Sequence, residues 1–99
     1  MLIIAGTVRV QPEDRDVAIA AMTEMMAETA KEEGCVSYDF SADLSQPELF
    51  HLFEEWETDE HLAAHFVAPH MAVFQEAIGN IGEVERSIFK YDVSGKNPL

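Results

Sequence analysis

The stretch GCVSYDFSADLSQPELFHLFEEWET, residues 34–58, holds a helix stop, two strands, a turn and a helix start, in that order. Gly34 is the residue type expected where a helix closes in the left-handed region. Cys35–Ala42 reads as a strand with Val36, Tyr38 and Phe40 on one side. Asp43–Glu48 carries turn chemistry, and Leu49–Glu57 is the returning strand. Thr58, with Asp59 and Glu60 behind it, is an N-cap followed by acids at the positive end of a helix dipole. A hairpin flanked by two helices is therefore the centre of the fold.

Working outward, Leu2–Val10 is a strand in which Leu2, Ile4, Val8 and Val10 share one parity. Pro12 opens a helix, because a first-turn proline lacks only an amide proton that has no partner there anyway. The helix is expected to run to Glu33, with Ala18, Ala21, Met22, Met25, Met26 and Thr29 on its apolar side. Beyond the hairpin, a helix runs from Thr58 to about Val67. Pro69 interrupts it and starts another, whose apolar face is Met71, Phe74, Ala77 and Ile78. Gly79 and Asn80 end that helix, and Val84–Val93 is a last strand. The order β-α-β-β-α-β, with the second helix broken in two, is the α+β ferredoxin-like sandwich. One domain, 1–93, is expected, with a short tail at 94–99.

Helices cover one face of such a sheet, yet large apolar residues occupy both parities. Phe50, Leu52 and Trp56 oppose Leu49 and Phe53; Val84 and Ile88 oppose Phe89, Tyr91 and Val93. A single copy would leave an apolar face in water, so a homodimer packed sheet to sheet is expected. Glu55, on that outer parity, needs a cationic partner, and Arg9 or Arg86 are the nearest in sequence logic.

Composition bounds the rest. Of 99 residues, 47% are hydrophobic, enough for a core, and 19 acids against six bases give a net charge of −13. The six bases are scattered, which argues against nucleic acid and against an anionic membrane as partners. No apolar run approaches the ~20 residues of a membrane span, and the start MLIIAG has no basic leader. A lone Cys35 without a CxxC fits a reducing cytoplasm.

Several chemistries lack their motifs. The five glycines are dispersed, so no Walker loop or GxGxxG turn exists, and there is no GxSxG. What remains is a cluster of rings: Trp56, His61, His65, Phe66, His70 and Phe74. His61 and His65 share a helix face and could chelate zinc, but Leu62 stands where HExxH needs its glutamate and no third ligand is evident. His70 sits at the start of the helix opened by Pro69, where the dipole disfavours an imidazolium and favours a proton-accepting ring. Trp56, ending a strand, suits a pocket wall as well as a core, and Tyr38 suits a hydrogen-bond donor as well as packing. An enclosed cavity between sheet and helices, touching Trp56 and His70, is the expectation.

Three segments carry a resemblance: EEGCVSY (Glu32–Tyr38), EEWETDEHLAAH (Glu54–His65) and APHM (Ala68–Met71). In this order and spacing the chain resembles the antibiotic biosynthesis monooxygenase family over nearly its whole length, and most of all its bacterial quinol monooxygenase branch. The resemblance implies a dimeric α/β barrel and oxygenation of a phenol or hydroquinone by dioxygen without metal, flavin or haem. It further implies His70 as base with His65 as alternative or orienting partner, Tyr38 and Arg86 as donors to the oxyanion, and Trp56, Phe66 and Phe74 as walls. Other branches fit less well. Haem-degrading members carry an asparagine where this chain has Thr7 and an axial histidine near Gln75. The branch that isomerises a phosphorylated dione shares the Pro69–His70 step but needs a cationic phosphate site. A binding module without turnover would use the same apolar pocket.

Overall fold

The computed structural model describes residues 1–99 and has four strands and three α-helices. These are β1 (Leu2–Arg9), α1 (Arg15–Thr29), β2 (Cys35–Ala42), β3 (Leu49–Trp56), α2 (Asp59–Phe66), α3 (Pro69–Gly79) and β4 (Glu85–Asp92). The sheet order is β2-β3-β1-β4, with every neighbouring pair antiparallel. This is the ferredoxin-like arrangement read from the sequence, including the break between α2 and α3.

Local chemistry explains most boundaries. Pro12–Asp14 forms a short 3-10 turn that feeds α1. The Thr58 hydroxyl accepts the His61 backbone N–H at 3.2 Å, which starts α2 as expected. Asp43 accepts the Ser45 and Gln46 amides at 3.0 Å each and closes the β2–β3 hairpin. Gly34 lies at φ 81°, and a Cβ there would strike the His61 ring at 2.1 Å.

Three expectations are corrected. The first helix stops at Thr29 rather than Glu33, because Lys31 and Glu32 bond back to Glu28 and Thr29 in tighter, three-residue turns. The register of β2 shifts between Cys35 and Ser37, so Val36 bulges out half-exposed instead of sharing the core side with Tyr38 and Phe40. Glu55 is buried as expected, but its partner is Lys96 of the C-terminal tail, at 3.2 Å, while Arg9 pairs with Glu48 and Glu85.

The core lies between the helices and the inner sheet face. Leu2, Ile4, Met25, Tyr38, Leu52, Trp56 and Leu62 form one cluster, and Val8, Val10, Ala18, Met22 and Phe50 a second. On the outer face Phe53, Phe89 and Tyr91 are exposed. No helix is long and apolar enough to cross a membrane.

Candidate functional site

Inner-face residues of all four strands, together with α2 and α3, line a cavity of about 550 Å³ that is half open to the surface rather than enclosed as expected. Tyr38 and Phe40 line it from β2, Leu52 and Glu54 from β3, Ile4 and Val8 from β1, and Arg86 and Ile88 from β4. His65 and Phe66 enter from α2, and Met71, Phe74 and Gln75 from α3. The volume suits a small aromatic guest, and most of the lining is apolar.

Of the residues singled out from sequence, the cavity brings together Tyr38, His65, Phe66, Phe74 and Arg86. It touches neither Trp56 nor His70, contrary to expectation. Trp56 is fully buried behind the wall, where its indole N–H donates to Glu54 Oε1 at 2.8 Å. His70 lies beside a separate small cleft with Ala21 and Val73. Its ring turns instead toward Glu32, which the corrected end of α1 has released from the helix.

Glu32 ties the two histidines together. One carboxylate oxygen, Oε2, lies 2.7 Å from His65 Nδ1 and 2.7 Å from His70 Nε2. An ionised carboxylate only accepts, so both contacting nitrogens donate, and in the neutral form of each ring the lone pair falls on His65 Nε2 and on His70 Nδ1. His65 is 1% exposed and packs against Trp56 and Tyr38 at ring distances of 4.9 and 5.3 Å. A histidine held by a carboxylate on one nitrogen and free on the other is the geometry of an oriented base. His61, by contrast, engages the Thr58 hydroxyl at 2.9 Å and does not join this group.

Three groups near the site have shifted proton affinities. Burial, opposed by the indole N–H and reinforced by Glu32, raises Glu54 from 4.5 to about 7. Burial, with Glu54 next in weight, pushes the Tyr38 hydroxyl well above its ordinary value, so Tyr38 is a standing donor. Burial also raises the Cys35 thiol, which makes it a poor nucleophile. Among the six bases, Arg9, Lys31, Lys90 and Lys96 pair with acids, and Arg15 donates to the Pro47 carbonyl. Arg86 has no such partner, and it faces the cavity.

Sequence reading missed Glu32 and Glu54. Glu54 had a signal, since it shares the core parity of Phe50, Leu52 and Trp56, where an acid is out of place. Glu32 had none while it was assigned to a helix.

The fold and site define a small α+β domain with an apolar chamber served by a histidine–carboxylate pair. Its sequence matches the family model for antibiotic biosynthesis monooxygenases over residues 1–77, and the chain belongs to that family. It is 30% identical to the probable quinol monooxygenase YgiN of Escherichia coli, with 91% of this chain and 97% of that one covered. An uncharacterised protein of Synechocystis sp. is 31% identical over 76% of this chain, which spans about half (51%) of that relative's length. Among solved structures, a candidate antibiotic biosynthesis monooxygenase from Deinococcus radiodurans superposes with a TM-score of 0.90 at 25% identity, covering 100% and 98% of the two chains. A conserved Bacteroides thetaiotaomicron protein of unknown function gives 0.80 at 32% identity, covering 91% and 96%.

Proposed function

We propose that this chain oxygenates a phenolic or hydroquinone-type aromatic with dioxygen, using electrons from the substrate and no cofactor. The observation that carries this reading is the Glu32–His65 pair: a buried imidazole on the cavity wall with one nitrogen fixed by a carboxylate. Family membership and the similarity to a quinol monooxygenase support the same chemistry.

Dioxygen is a triplet and reacts slowly with closed-shell molecules, but a phenolate gives up an electron readily. His65 removes the phenolic proton, and Arg86 and Tyr38 hold the resulting anion. Phe66 and Phe74 wall the guest, and Trp56 acts from behind through Glu54. One-electron transfer to dioxygen and recombination of the radicals give a peroxide on a ring carbon. Glu54, close to half-protonated at neutral pH, supplies the proton that lets the O–O bond break with loss of water. A hydroquinone and one dioxygen thus yield one hydroxyquinone and one water. His70 positions Glu32, a reversal of the roles expected from sequence.

A second copy completes the reading. Phe53, Phe89 and Tyr91 pack sheet to sheet in a homodimer, as the dimeric barrel implied by the family resemblance requires.

Oxygen uptake with a panel of hydroquinones and anthrones tests the activity. His65→Gln should lower kcat by about 10²–10⁴-fold, while His61→Ala should leave it unchanged. Uptake no faster than buffer, in wild type and variants alike, would leave only binding.

A further inference from the structure

We propose that Glu32, His65 and His70 also form a site for a divalent transition cation of the zinc type, and that filling it silences the cavity's base. The second half of this inference rests on the oxygenase reading; the first does not.

The donor atoms come from three separate segments: the turn after α1, the end of α2 and the start of α3. They all lie within 4.8 Å of one another. Two imidazole nitrogens and one carboxylate oxygen are a donor set that suits zinc, whereas calcium and magnesium take oxygens. The two 2.7 Å contacts are shorter than the roughly 3.3 Å between neighbouring ligands in a tetrahedral shell at 2.0–2.1 Å. The ion therefore enters by moving Glu32 outward by about half an ångström, while the two imidazole nitrogens, which lie within 4.8 Å of each other, settle to the same ligand spacing. Glu32 can make that movement, because it lies on a turn rather than inside a helix.

The surroundings meet the other needs of a metal site. The His65 ring is held by Trp56 and Tyr38, so one ligand is already oriented. The side chains of Glu32 and His70 are 15% and 17% exposed, which gives an ion a way in and leaves room for water as fourth ligand. Glu32 and His70 are not among the cavity-lining residues, so the ion sits behind the wall and does not touch the guest. Its effect passes through His65. Coordination at Nδ1 needs a lone pair there, which moves the ring proton to Nε2. The base then becomes a donor.

Titration calorimetry of tag-free protein with zinc chloride tests the site, and cobalt(II) absorption reports its geometry. One ion per chain is expected, with tetrahedral cobalt bands and a melting temperature raised by roughly 10 °C at a hundredfold excess over Kd. Glu32→Gln and His70→Ala, both near the surface, should each weaken binding at least about 100-fold. His51→Ala and His61→Ala should not. Zinc should also stop oxygen uptake with a midpoint equal to Kd, and EDTA should restore it. Absence of saturable binding tighter than about 100 µM, or binding that survives both Glu32→Gln and His70→Ala, would overturn the site. Full turnover with zinc bound would overturn the silencing. A zinc site in a protein that consumes no oxygen would leave the site standing and remove the oxygenase.

Discussion

Glu54 stores a measurable cost in the fold. Its carboxyl titrates near 4.5 when exposed and near 7 in the folded chain, chiefly because of burial. Between those values the folded protein binds more protons than the unfolded one, so this group's contribution to stability falls as pH rises from about 4.5 to about 7. Glu54→Gln keeps an acceptor for the Trp56 indole and removes the ionisation. Urea unfolding should show the variant more stable than wild type at pH 8, by about 3 kcal/mol, with the gain gone at pH 4. An equal difference at both pH values would mean that the carboxyl does not titrate late. At this scale the sequence reveals which residue types gather in the second half, but not which atoms meet. Trp56 and Glu54 are two apart on one strand face and their contact could be read; Glu32 and His70 are 38 apart and meet only because α1 ends early.

The strands and helices follow simple local rules, and here the sequence is most informative. Thr58, Pro69 and the DLSQPE turn each mark a boundary that the structure keeps, whereas Gly34, expected to close α1, takes its positive φ in the turn just before β2. The early end of α1 and the bulge at Val36 were hidden, because both depend on backbone hydrogen bonds rather than side-chain pattern. Gly6 was also silent, reading as one dispersed glycine. A Cβ at Gly6 would lie 1.9 Å from the Ser87 carbonyl oxygen and 2.6 Å from Ile88 Cα, both backbone atoms of β4. Neither can step aside without breaking the β1–β4 pairing, in which Gly6 stands opposite Ile88. Gly6→Ala should destabilise by about 3 kcal/mol and loosen the strand that carries Arg86. Hydrogen exchange along β4 would show it; protection equal to wild type would refute the close approach. Gly79, where an added Cβ meets nothing within 4 Å, is the control.

For the whole molecule, the sheet is the floor of a chamber on one face and, in the proposed dimer, the interface on the other. Its inner face bears Tyr38, Glu54 and Arg86, and its outer face Phe53, Phe89 and Tyr91. The alternation was plain in the sequence, so the two-faced sheet was legible; the cavity's shape was not, because it depends on where α3 rests over β1 and β4. A double variant, Phe53→Asp with Phe89→Asp, should sediment as a single chain while wild type sediments as two. Wild type at the mass of one chain would remove the dimer from the account. The most direct test of the chemistry is turnover under ¹⁸O₂ of a hydroquinone, with a chelator present. The account predicts one labelled atom in each hydroxyquinone formed and the other in water, at wild-type rate and without added cofactor. Product formed with no label, or turnover that starts only when a metal or flavin is supplied, would contradict it.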